Sequence, residues 1–285
     1  MTGSLRVLRA ELVRICASRA AWLGLALVAL IPALRVWAAI LAQRTKEIER
    51  LAGGGSAPGL SEGNGWALLV DGWRAGLMLA TALLLVQSAR ALAGDRETGV
   101  FRLAVTRSAS RSGAVVGRAL MGPVVTLAMV SFAGGGALLA ATALGADFGD
   151  LVEDDYTIFS ALEVREELEY ALIGAFLAMI AVHGFGLFVS SASRGPVLAL
   201  AGSLATILLW DVFKEDLGDV RWFVFASHAP TFADGSGMRE MASFARGMSD
   251  AGHPEAVHNM GLVLSPAAWV LSVALACLAV RRRPI

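Results

Sequence analysis

The chain has 285 residues, of which 56% are hydrophobic and 17% charged, with a mean hydropathy of +0.64 and a formal net charge of zero. Soluble domains carry roughly a quarter charged residues, so this balance places the chain among membrane proteins, and its neutrality argues against a nucleic-acid partner. The two lysines, Lys46 and Lys214, are each followed by Glu, so the Gly-Lys-Ser/Thr of a phosphate-binding loop is missing and ATP hydrolysis by that route is excluded.

Residues 1–19 come first. Within them Leu5, Leu8, Leu12 and Ile15 recur every three or four positions, with Arg6, Arg9 and Arg14 off that stripe. The pattern predicts an amphipathic helix lying at the cytoplasmic headgroups of a lipid surface. A bilayer core of roughly 30 Å needs about 20 apolar residues in a helix. Six runs predict such helices, at 20–41, 66–92, 119–144, 170–191, 195–212 and 261–280. The first is too long for the apolar part of a cleavable leader and reads as an uncleaved anchor. In it, Arg35 is expected to snorkel outward. Between the first two runs, Ala52–Gly65 is Gly-rich and reads as a loop. In the second run, Asp71 and Arg74 stand three apart and can share one face, either as a structural pair or as part of a pathway.

The third run carries Gly134, Gly135 and Gly136, which suit close helix packing or a bend. After it, residues 147–169 are strongly acidic, with helical character in their later part. His183, in the fourth run beside Gly184 and Gly186, reads as a packed histidine, with a substrate or proton site as the other reading. The turn Ser190–Arg194 follows. Residues 211–260 form the largest piece outside the membrane runs, and Met238, Met241, Phe244 and Met248 at helical spacing predict a small helical cap. Those methionines, with His228, His253, His258 and Met260, could bind a soft metal, but the same spacing makes a plain apolar face, and no metal site is assigned. His253 and His258 do not form a His-Glu-x-x-His zinc helix, because the spacing and Pro254 are wrong. Trp210, Phe213, Trp222, Phe223 and Phe225 suit an interfacial belt. Cys16 and Cys277 flank the membrane runs and predict no disulfide framework.

Placing the N-terminus in the cytoplasm puts 14 Lys and Arg in the inner segments and 8 in the outer ones, and an even number of helices then returns the C-terminus to the cytoplasm. The hydrophobic runs tile the chain, so residues 1–285 are read as one membrane domain, with 211–260 outside the cell membrane.

The segment at 95–112 between the second and third runs has its own pattern. Asp95 and Glu97 can cap the start of a short helix. Val100, Leu103 and Ala104 would then face the membrane domain, Arg102 and Arg107 the cytosol, and the Ser-rich stretch from Ser108 to Ser112 would end the helix. This is where the chain resembles the permeases of ABC-2 type transporters, which commonly read Glu-x-x-x-Gly-Thr, a Leu pair, Pro-x-Ser-Arg and Gly-Lys. The matching residues are Glu97, Gly99, Leu103, Ser110 and Arg111, with Gly117 and Arg118 at the far end. Val100 stands where Thr is common, Ser108 where Pro is common, and Arg118 keeps the charge of the usual Lys. The layout is similar over essentially the whole chain: an amphipathic N-terminal helix, six membrane helices, this loop, and an outer region before the last helix.

The resemblance implies an all-α membrane protein of the bacterial inner membrane that acts as the transport subunit of an ABC exporter without its own engine. Two permeases, identical or related, would pair with two ATPase subunits, which would hold the ATP and Mg; no cofactor is expected in this chain. By position, Glu97, Arg102, Arg107 and Arg111 would form the coupling helix docked on the ATPase, and Ser190–Arg194 would offer a second contact. The other expected partners are membrane lipid and an extracytoplasmic protein on which the complex could do mechanical work. The main rival is a secondary transporter or channel with no ATPase. A membrane-embedded enzyme is a further alternative, against which the chain shows no Ser/His, paired Asp or metal-ligand constellation in the membrane.

Overall fold

A computed structural model of the chain describes residues 2–53, 64–107, 110–153, 156–233, 236–248 and 255–282. Most of the 52–65 loop, residue 108 and His253 therefore fall outside the described residues, as do the side chains at 103, 104 and 107. The helices are α1 (Thr2–Ala17), α2 (Arg19–Gly53), α3 (Gly65–Glu97), α4 (Val100–Arg107), α5 (Arg111–Ala119) and α6 (Met121–Ala143). A two-stranded antiparallel hairpin follows, β1 (Leu151–Glu153) and β2 (Tyr156–Phe159). Then come α7 (Ala161–Ala192), α8 (Pro196–Phe213), two 3-10 segments (Lys214–Phe223 and Phe225–His228), α9 (Gly237–Phe244) and α10 (Glu255–Arg282).

Among the described residues, six helical spans are long and apolar enough to cross a membrane: Arg19–Thr45, Gly65–Glu97, Arg111–Ala143, Ala161–Ala192, Pro196–Phe223 and Ala256–Arg282. Several helices outrun the apolar runs that predict them, because hydropathy marks only the part a membrane would cover. The helix foreseen at 170–191 starts nine residues earlier, where Ser160 and Glu163 form a reciprocal capping box. The helix foreseen at 20–41 continues through polar helix formers to Gly53.

α3 and α7 are the inner helices of the bundle, with half or more of their spans buried, whereas the spans beginning at Arg19, Pro196 and Ala256 are 22% buried. Small residues let α2, α3 and α6 close on one another. Gly72 and Gly76, four apart on α3, sit against Val36 and Pro32 of α2 and against Ala137 and Ala133 of α6. On α6, Gly136 lies on the Ala29 carbonyl of α2 and Gly134 lies under the Trp73 ring, whereas Gly135 faces open space. Trp73 also donates its indole N–H to the Val130 carbonyl at 3.0 Å.

At the end of the bundle away from α1, the hairpin, the 3-10 segments and α9 make a cap. Met238 and Met241 are buried in the main core and Phe159 of β2 packs on Phe244, with ring centroids 4.1 Å apart. The methionine spacing is thus used for packing, while Met248 is half exposed. Arg246 pairs with Asp71 and so ties the cap to α3. A second tie is almost fully buried: Lys214, 1% exposed, places Nζ 3.0 Å from Asp211 Oδ1, which also accepts from the Thr231 hydroxyl at 2.7 Å.

Candidate functional site at the α4 end of the bundle

At the opposite end, α1, α4, α5 and the last turns of α3, α7 and α10 come together. α3 stops at Glu97 because Gly99 takes a left-handed φ of 76°, a conformation that side-chain-bearing residues avoid. α5 then starts at Ser110, whose hydroxyl accepts from the Gly113 N–H at 3.0 Å.

The sequence expectation for α4 is corrected in two ways. Val100 faces out at 45% exposure, and the inward residue is its neighbour Phe101, 3% exposed. Asp95 does not cap α4: it lies inside α3, 7% exposed, and is held by ion pairs. The physical reason is shared. α3 winds on through Glu97 and the chain turns at Gly99, so α4 begins only at Val100 and Asp95 stays inside the preceding helix.

On α1 the foreseen stripe turns inward except at its first residue. Leu5 is 56% exposed, while Val7 and Glu11 are the buried positions, with Leu8, Leu12 and Ile15 partly buried beside the core. α1 packs on α5 at Gly117, where a methyl group would come within 2.7 Å of the Ser4 carbonyl and the Val7 side chain.

What joins these helices is a four-charge network that the sequence did not reveal. Arg118 of α5, 5% exposed, pairs with Asp95 of α3 and puts Nε 3.3 Å from Glu11 of α1. Arg14 of α1 reaches Glu11 at 2.8 Å and Asp95 at 3.2 Å. The network has two positive and two negative groups, so the buried charge is balanced. Burial pushes the Glu11 carboxyl above its ordinary range, Arg118 and then Arg14 pull it back, and Asp95 adds to the rise. In the sequence, the signal was an acid, Glu11, sitting among the apolar positions of an amphipathic helix.

Next to it, Arg96 of α3 caps the C-terminal end of α7 by donating to the carbonyls of Ser190, Ser191 (3.2 Å) and Ser193 (3.0 Å). Ser190 Oγ in return accepts from the backbone N–H groups of Leu92 and Ala93 at 3.1 and 2.9 Å. The α7–α8 turn is thereby welded to α3, and Arg194 is exposed beside it.

The structure brings Glu97, Gly99, Arg102, Ser110 and Arg111 to this end, and Leu103 and Arg107 are backbone positions within α4. Glu97 and Arg102 are exposed; Arg111 donates to the Arg281 carbonyl at 3.4 Å, and Arg281 in turn donates to the Ser112 hydroxyl at 2.9 Å. Asp71 and Arg74 are not part of it: they lie on the first turns of α3, at the cap end. His183 stands apart on α7, 4% exposed, with its ring packed on Gly122 of α6 and no hydrogen bond to Nδ1. His228 bonds the Trp222 carbonyl at 2.8 Å and His258 stacks on Tyr170, so these two are engaged in the cap. Among the described residues, no group of three or more His, Cys, Asp or Glu could hold a metal ion.

These features define a helical membrane protein, multi-pass by the length and composition of six helices, with a charged, partly exposed helical assembly at one end. No protein-family model matches the chain, and no curated protein matches it.

Proposed function

We propose that this chain is the transmembrane permease subunit of an ABC transporter of the ABC-2, exporter-like kind. It couples ATP hydrolysis in a separate pair of ATPase subunits to translocation, or to mechanical work on an outer partner. The observation that carries the reading is α4: a short helix hung between two candidate membrane spans, anchored inward by Phe101 and presenting exposed charge at Arg102, with Glu97 beside it. Its position in the chain is that of the ABC-2 motif residues. The excess of Arg around it is what a cytoplasmic face requires.

On this reading the bundle lies in the bacterial inner membrane with both termini and α4 in the cytoplasm. A second permease copy completes the translocation path, and ATP and Mg bind in the ATPase. Glu97, Arg102, Arg107 and Arg111 meet the ATPase, and closure of the engine pushes α4 against the bundle. α1 moves with it through the Glu11–Arg118–Asp95 pairing.

The test is purification of the tagged chain at native expression in mild detergent, with mass spectrometry of what accompanies it. A stoichiometric ATP-binding subunit supports the proposal. A homo-oligomer with no ATPase, repeated in lipid nanodiscs, sinks it and puts a secondary transporter or channel first. Reversal of charge at Glu97 or Arg102 is expected to weaken ATPase capture about fivefold, equivalent to about 1 kcal/mol for an exposed ion pair, without unfolding the chain. Wild-type capture and coupling in both variants would remove those side chains from the contact.

A further inference from the structure

We infer that His183 of α7 and Thr126 of α6 together bind a water molecule inside the membrane-spanning part of the bundle. The inference goes beyond the permease reading and stands whether or not that reading holds. His183 lies nine residues before the end of α7, about 14 Å along the helix axis. Thr126 lies well inside the span Arg111–Ala143. Neither residue belongs to the charged end of the bundle or to the cap.

The two side chains share one face of α6. The His183 ring packs on Gly122, where a methyl group would come within 2.5 Å of Nδ1. Thr126 stands four residues on, one helical turn along the side of α6 that Gly122 turns to His183. His183 is 4% exposed and Thr126 0%. His183 Nδ1 and Thr126 Oγ1 are both buried, and neither has a hydrogen-bond partner among the described residues.

A hydroxyl on a helix can satisfy itself by donating to the carbonyl four residues back. Thr81 donates in this way to Leu77 at 2.9 Å, and Ser203 to Ala199 at 2.8 Å. Thr126 has the Gly122 carbonyl at the same offset and does not use it. Its hydroxyl is therefore left to a partner outside its own helix. His183 Nδ1 needs a partner in either tautomer, because as N–H it must donate and as a bare nitrogen it must accept. Two unmatched polar atoms in an apolar interior are costly. A direct bond between them would match both at once, and it is not made.

Water fits this chemistry because it both donates and accepts. One molecule can serve the hydroxyl and either tautomer of the ring, with the Gly122 carbonyl as its third partner. The ring already occupies the volume that a side chain at residue 122 would need, so the site takes a single water and no larger ligand.

The experiment is solid-state NMR on the full chain in lipid bilayers, with nitrogen-15 in histidine and magnetisation transferred from water. Of the four histidines only His183 is followed by glycine, so labelling the histidine carbonyl and the glycine nitrogen identifies its signals. The His183 ring is expected to take up magnetisation from water. Thr126→Val, which keeps the shape and removes the hydroxyl, should abolish that transfer, and Thr126→Ser should retain it. No transfer to the wild-type ring overturns the inference, as does undiminished transfer in Thr126→Val. If Thr126→Val displaces the Gly184 amide signal, so that the α6–α7 contact has itself moved, Thr126→Ser carries the comparison. Transfer kept at wild-type strength then supports the site, and its loss overturns it. The readout is water at one ring, so it is unaffected by whether an ATPase accompanies the chain.

Discussion

Arg118 carries a guanidinium into a site where only 5% of it reaches the surface, and it does so because two carboxylates from different helices are waiting there. Removing one partner of a buried pair leaves the others uncompensated, so Arg118→Met is expected to cost about 3–5 kcal/mol in thermal or denaturant unfolding. A loss below about 1 kcal/mol would mean that the carboxylates are solvated after all. Glu11 behaves differently, since burial already favours its neutral form. Its folded pKa lies above the ordinary 4.5, so the folded chain binds that proton more tightly than the unfolded one. Stability from this group therefore rises as pH falls through the raised value toward 4.5 and is lost as pH climbs above it. Wild type should gain stability relative to Glu11→Gln over that window; a difference that stays flat with pH would show that Glu11 does not titrate there. A second buried ion pair lies in the cap. Lys214 is one of only two lysines in the chain, and its buried ammonium fits beside Asp211 because it is compact, where a planar guanidinium would need more room.

At the scale of elements, helix existence was legible from hydropathy and helix ends were not. The capping box at Ser160 and the left-handed Gly99 decide where α7 begins and where α3 stops, and both are local signals lying outside the apolar runs. The β1–β2 hairpin went unforeseen because its strands are three and four residues long and sit in an acidic stretch that reads as loop or helix. The three glycines of α6 were read as suiting close packing or a bend, and the structure divides their labour. Gly136→Ala places a methyl on the Ala29 carbonyl and is expected to cost about 1–3 kcal/mol by overpacking. Gly135→Ala meets nothing and should be neutral or stabilise by about 0.5–1 kcal/mol through helix propensity. Equal melting temperatures for the two variants in one detergent would contradict the α2–α6 contact described above. The 95–112 segment shows the limit of pattern reading most clearly. The short helix is present, but a turn of one residue exchanges Val100 for Phe101 as the anchor.

At the scale of the molecule, the two ends of the bundle differ in chemistry. One gathers α1, α4 and α5 with their arginines; the other carries the hairpin, the 3-10 segments and α9 over acidic loops. The positive-inside rule predicts that the first end faces the cytoplasm. With native cysteines replaced, Val100→Cys should react with a membrane-impermeant thiol reagent only after the membrane is opened, and Phe232→Cys, 70% exposed in the cap, should react in intact cells. The opposite pattern would invert the topology and remove α4 from reach of any cytoplasmic ATPase.

Composition and apolar run length determined by themselves that the chain is a multi-helix membrane protein, because a bilayer accepts only spans that satisfy their own backbone and cover themselves with apolar side chains. The 95–112 pattern likewise announced a short helix between two spans. Only the tertiary structure decided which charges meet. Glu11 and Arg118 lie more than a hundred residues apart, with Asp95 between them, and the three meet because α1 folds back onto α5. Asp71 finds Arg246 only because the end of α9 packs over the first turns of α3. Helical periodicity ranks faces within one helix, but partner choice between helices depends on crossing points set by small residues such as Gly72, Gly76 and Gly117, and those crossings exist only once the whole bundle has closed.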